Sequence, residues 1–285
     1  MLRWMPSLSS TVSQDNGLVD LRSSAQFIQQ HVKGSCSLPW ERLQKSLHEL
    51  PANHIAISLL GEKHQLENAK TFLTTKGYSI GECFIADNNF WQRMSEQQLS
   101  ETGCHSVALW QANPLLTEII SLVENNVGGR LAIDLACGAG RDSVYLAKRG
   151  WQVTAIDYKA DTLERCQQLA NISQTSLSTL QRDLENSEQP LADINDDLKA
   201  DLILVMRYLH RPLFSAIDES IKVGGAIVYS TFMVGSEQYG SPKNPNYLLK
   251  PGELAEVFSS YKILIDEARN LPDGRPVALF VAIKV

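Results

Sequence analysis

Two glycines in Gly138-Ala-Gly140, with carboxylates before and after them at Asp134 and Asp142, have the types and spacing to do chemistry. They stand in Leu131-Ala-Ile-Asp-Leu-Ala-Cys-Gly-Ala-Gly-Arg-Asp142, where an apolar run of strand character ends in a glycine turn and a helical pattern follows. The next apolar run, Trp151-Gln-Val-Thr-Ala-Ile156, is closed by Asp157. Glycine lets the backbone turn sharply and come close to a ligand. Strand, glycine turn, helix, strand, acid is the geometry of a nucleoside-cofactor site at the carboxyl edge of a parallel sheet.

The charges narrow the nucleoside. A dinucleotide turn needs a third glycine and positive potential for a pyrophosphate. Here Ser143 stands in the glycine position, and the acid Asp142 opens the helix. That pattern repels phosphate and suits a cation. S-adenosylmethionine has a sulfonium, an amino group and no phosphate, and Asp157 can accept from both of its ribose hydroxyls. The segments Ile133–Ser143, Val153–Asp157, Val205-Met-Arg-Tyr-Leu-His-Arg-Pro212 and Leu248-Leu-Lys-Pro-Gly-Glu-Leu254 resemble class I S-adenosylmethionine-dependent methyltransferases. The closer resemblance is to the tellurite-resistance and thiopurine-methyltransferase branch, and it covers 108–285. It implies a seven-stranded Rossmann-like α/β domain whose last strand runs antiparallel. The cofactor residues it implies are Asp134, Ala136, Gly138, Gly140 and Arg141, with Asp157 at the ribose, Tyr158 beside the adenine, Asp183 and Leu184 at the adenine edge, and Met206. Cys137 reads as a small packing residue.

The elements that must position these residues run along the whole chain. At 285 residues it is long for one domain, and 44% hydrophobic content supports packed cores. Net charge is −6 with no long basic run, so nucleic acid is not the expected partner. Five cysteines at irregular spacing form neither a disulfide framework nor a C-x-x-C metal pair, so no metal is expected. The first residues lack the apolar core of a signal peptide, and no run is long enough to span a membrane. A cytoplasmic enzyme with a small-molecule methyl acceptor is the expectation.

Strands are expected at 17–21, 55–60 and 82–86, with helices at 23–30, capped by Ser23 or Ser24, and 62–76. This first third resembles a rhodanese-like domain through Val19-Asp-Leu-Arg22, Phe27-Ile-Gln-Gln-His31, Gly34 with Pro39, and Phe72–Tyr78. In that resemblance the sulfur-carrying cysteine falls on Ser58 or on Leu60, and neither can form a persulfide. We expect a degenerate domain over 1–87 that transfers no sulfur and binds an anion, a protein partner or its neighbour. Residues 88–107 read as a linker or lid helix, and 108–285 as the methyltransferase domain, with a helix at 115–124. Its strands are expected at 132–135, 152–156, 177–180, 202–205, 226–232, 261–266 and 276–283.

Over the sulfonium, Arg207 and His210 are candidate catalytic groups, one to hold an anion and one to act as base. Arg211, Tyr239, Lys243, Tyr247 and Arg275 are candidate acceptor-binding residues, several of them on a long polar loop. Methyl transfer is an in-line displacement in which alignment supplies much of the rate, and an anionic nucleophile needs no base. By resemblance the acceptor is a chalcogen oxyanion such as tellurite or selenite, or a thiol. Two alternatives stay open: a non-catalytic cofactor-binding module, and a fusion that also handles sulfur.

Overall fold

The structure, a computed structural model, describes residues 17–187, 189–192, 194 and 199–285. The N-terminal residues read above for a targeting signal lie outside them. The chain divides into two compact units, Met1–Gln111 and Ala112–Val285.

The first unit runs β1 (Leu18–Asp20), α1 (Ser24–Gln29), β2 (His31–Val32), β3 (Cys36–Ser37), α2 (Trp40–Leu43), β4 (Ile57–Gly61), α3 (Lys63–Thr75), β5 (Ile80–Ile85), α4 (Asn88–Glu96) and β6 (Ser100–Glu101). Four strands form a parallel sheet in the order β3-β1-β4-β5. Ile57, Leu59 and Leu60 are fully buried, as a central parallel strand covered on both faces requires. Ser23 is the cap of α1: it accepts from Gln26 N, and its own N–H donates to Gln26 Oε1.

Within residues 88–107, α4 packs into the first unit. Asp87 caps α4 by accepting from Phe90 N at 2.8 Å. Phe90 and Met94, one turn apart, pack with Leu18, Val32 and Leu60. β6 then pairs antiparallel with β2. Phe90, Met94 and the partly buried Trp91 anchor a helix whose other positions are polar, and that polarity is why it reads as a solvated connection.

Ser58 and Leu60 lie inside β4, so neither opens a loop after it. The strand ends at Gly61, and Glu62 caps α3. Burial above all pushes the Cys36 thiol up to about 12 and raises Cys83 as well.

The second unit runs α5 (Pro114–Asn126), β7 (Leu131–Leu135), α6 (Arg141–Lys148), β8 (Gln152–Asp157), α7 (Ala160–Ile172), β9 (Ser178–Gln181), β10 (Ala200–Met206), α8 (Leu213–Ser220), β11 (Ile221–Ser230), α9 (Glu253–Val257), β12 (Tyr261–Asn270) and β13 (Pro276–Lys284). Its seven-stranded sheet has the order β12-β13-β11-β10-β7-β8-β9. All pairings are parallel except those of β13, which is antiparallel to both β11 and β12. Alternation along β10 builds both cores. Ile203 and Val205 join one cluster, and Leu202 and Leu204 join the other. The chain leaves β7 to one side through β8 and β9, then returns to its other side as β10. The carboxyl ends of β7 and β10 therefore flank the switch point where open α/β sheets bind ligands.

Candidate active site

The glycine turn leaves the end of β7 with three left-handed residues, Ala136 (φ +56°), Gly138 (φ +56°) and Gly140 (φ +77°). Gly140 begins α6, and a Cβ there would collide with the Cys166 sulfur on α7, so helix packing demands glycine. Nothing lies within 4 Å of the place a Cβ on Gly138 would occupy, so the backbone there is open to a ligand.

Asp157 ends β8, nearly buried, and its carboxylate accepts Gly138 N on Oδ2 and Lys159 N on Oδ1, both at 3.0 Å. These amides fix the carboxylate in the turn and leave each oxygen a further lone pair. Asp134 is buried beneath the turn and accepts from the Ser143 hydroxyl. Burial first, then the Asp142 and Asp157 carboxylates, push the Asp134 carboxyl up to about 8. Asp142 accepts from Asn113 N at 2.6 Å, and burial raises it too. Three acids thus converge beneath a backbone open to ligand, a field that disfavours phosphate and favours a cation. These groups fit S-adenosylmethionine.

The carboxyl end of β10 forms the second wall. Asn113 caps α5 and donates Nδ2 to Met206 Sδ at 3.6 Å. Arg207 is left-handed at φ +59°, held by its amide to Ser230 O at 2.6 Å. A long side chain in that region is strained, and such strain gathers at functional sites. Among the described residues its exposed guanidinium makes no hydrogen bond. Its charged neighbours are Asp142 and Asp273.

Several expected roles change. Arg211 grips Glu253 with two nitrogens and donates to Asn246 O at 2.8 Å and Leu248 O at 3.0 Å. Arg275 bonds Asp273 at 2.7 Å and Ser241 O at 2.6 Å, and lies 4.6 Å over the Phe232 ring. Through these bonds the two guanidiniums staple the loop at two places.

Asp183 follows β9 but serves its own turn. It accepts from Glu185 N, Asn186 N and Asn186 Nδ2, and these bonds hold its carboxyl below the usual range. Leu184 is buried in the core, with its side chain away from solvent.

His210 is not gathered with Arg207. It lines a 540 Å³ cleft with Leu184, Glu185, Pro212, Leu213 and Ala216, and neither Arg207 nor the glycine turn borders that cleft among the described residues. Tyr158 is 58% exposed beside Asp157, with Lys159 Nζ 5.0 Å from its ring. Arg141 opens α6. On the loop, Tyr239 lies against Gly274, Tyr247 is half-exposed on a short turn, and Lys243 is exposed.

Sequence reasoning missed Asn113 and the bond that Ser143 donates to Asp134. Asn113-Pro114 is a readable helix start, but its bonds to Asp142 and Met206 are tertiary.

A family model described as "Tellurite resistance protein TehB" matches residues 108–269. An uncharacterised protein of Schizosaccharomyces pombe is 25% identical over 320 residues, covering 94% of this chain and 93% of that protein. A ubiquinone biosynthesis O-methyltransferase of Pasteurella multocida is 30% identical over 130 residues, which is 42% of this chain and 54% of that enzyme. The crystal structure of TehB from Haemophilus influenzae is 20% identical with a TM-score of 0.49, covering 59% of this chain and 62% of that one.

Proposed function

The chain belongs to the TehB family, and from that membership we propose that it methylates a small, soft nucleophile, a chalcogen oxyanion or a thiol, within the second unit. It is a class I S-adenosylmethionine-dependent methyltransferase. When bound, S-adenosylmethionine supplies a methyl group already made electrophilic by its sulfonium.

The protein's work is then to hold and align. The observation that carries the reading is the Asp157 carboxylate fixed by the Gly138 and Lys159 amides beside a buried acid cluster. Asp157 accepts the ribose hydroxyls. Asp142 supplies negative potential for the cationic end, and Asp134 adds its charge only as it ionises towards about pH 8. Gly138 lets the backbone approach, and Tyr158 covers the adenine face. Met206 and Arg207, at the end of β10, face the methyl, and Arg207 is the cation that attracts an anionic acceptor. Such an acceptor needs no general base, so His210, in its separate cleft, is not required for proton transfer. Tyr239, Lys243 and Tyr247 border the acceptor side.

We further propose that the first unit is a rhodanese-like domain without sulfur chemistry. Glu62 supports this reading, because its carboxylate stands where β4 passes into α3, the place an anion would need.

Calorimetric titration with S-adenosylhomocysteine tests the cofactor site. Wild type should bind in the micromolar range. Asp157→Ala should lose about 1–3 kcal/mol, up to about 100-fold in affinity. Equal binding by both proteins would remove Asp157 from the site, and no binding by either would remove the reading.

A further inference from the structure

Asn113 stands at the start of α5 and bonds to both walls of the candidate site. Pro114 follows it, and a residue before proline is pushed out of the helical region, so Asn113 sits at φ −56° and ψ 125°. Leu116, Ile119, Ile120 and Val123 form one stripe of α5 and seat it in the core that Met206 also packs against. With the helix so seated, the backbone N–H of Asn113 donates to Asp142 Oδ1 at 2.6 Å, in the first turn of α6. Its side-chain Oδ1 accepts from Leu115 N at 3.1 Å and completes the cap.

The cap uses only one end of the side-chain amide. Because Oδ1 faces Leu115 N, Nδ2 points the other way, and it donates to Met206 Sδ at 3.6 Å. Serine would cap α5 equally well, but its side chain is one atom shorter and its single oxygen is taken by the cap. The second bond is therefore more than the helix needs. A methionine side chain turns about three bonds and fills gaps in many shapes. A donor fixed on its sulfur gives Met206 one position at the end of β10. The left-handed Arg207 follows directly, tied to Ser230 O. One residue thus spans the switch point, from the helix after the glycine turn to the exit of β10.

We propose that Asn113 is a positioning residue of the cofactor site, which holds the Met206 side chain in register with the glycine-turn wall. It acts through Met206. The assignment rests on the cofactor reading above. Asn113 precedes the glycine motif, which does not specify it.

Calorimetry with S-adenosylhomocysteine on the full chain, beside thermal unfolding without ligand, tests this. Asn113→Ser keeps the cap, so its ligand-free Tm should stay close to that of wild type. It should bind S-adenosylhomocysteine about 3- to 10-fold more weakly. In a Met206→Leu background the same substitution should change affinity by less than about twofold, because the sulfur it acts through is gone. A residue that only caps would leave the affinity of Asn113→Ser at the wild-type value, and that result would overturn the assignment. So would a loss that persists in full in the Met206→Leu background. If Asn113→Ser does not fold, hydrogen exchange on wild type decides. A ligand that depends on the start of α5 must slow exchange there, at Thr117 N, which donates to Asn113 O. Unchanged exchange overturns the proposal. Failure of wild type to bind S-adenosylhomocysteine would instead overturn the cofactor reading itself.

Discussion

Asp134 is a carboxyl that burial and two neighbouring acids keep protonated to about pH 8. Its folded pKa lies above its unfolded one, so its contribution to stability is complete below the unfolded value, near pH 4, and is lost as pH rises through about 8. A cation bound beside it should see the charge appear over the upper part of that range. Affinity for S-adenosylmethionine is therefore expected to rise several-fold between about pH 6 and about pH 8.5. Asp134→Asn should flatten that rise, and a wild-type profile already flat would separate Asp134 from the cationic end. Gly140 gives a second residue-level test. Gly140→Ala places a Cβ at φ +77° against the Cys166 sulfur. The backbone strain and overpacking should cost about 2–4 kcal/mol in denaturant unfolding. Adding Cys166→Ala should recover part of that loss and leave the backbone share.

The long loop after β11 has the length and polarity of a mobile segment, yet two arginine forks hold it. The fork geometry is what matters, since only a planar guanidinium can grip a carboxylate with two nitrogens and still reach a carbonyl. Arg211→Lys should keep the charge and lose the grip. The expected outcome is a stability loss of about 1–2 kcal/mol and faster limited proteolysis near Tyr247, with S-adenosylhomocysteine affinity unchanged. Cleavage at the wild-type rate would show that the loop holds its shape without the fork. α4 makes the related point inside the first unit. Phe90, Met94 and Trp91 seat Asn88–Glu96, whose other residues are polar.

At the scale of the whole molecule, the second unit holds the glycine turn and its acids, and the first keeps the cysteines of its sheet, Cys36 and Cys83, as thiols. With burial pushing Cys36 up to about 12 and raising Cys83, thiolate at these two cysteines is scarce at neutral pH. The full chain treated with thiosulfate should therefore carry no cyanide-reactive sulfur, and a stoichiometric amount would reverse the reading of the first unit. The methyltransferase sheet could be read from sequence because each strand is a short apolar run between turn residues, and because glycine and acid spacing at Asp134, Gly138, Gly140 and Asp157 is a local demand of one turn. What each arginine does could not be read that way. Arg207, Arg211 and Arg275 are the same residue type near one sheet edge. Among the described residues the Arg207 guanidinium makes no hydrogen bond, while the others are committed to Glu253 and Asp273 and to loop carbonyls. The boundary near residue 111 is likewise an outcome of packing. Local pattern determined the elements and the glycine turn. Only the tertiary structure decided which side chains near that turn remain uncommitted, because a hydrogen-bond partner can come from any element that folding brings within about 3 Å.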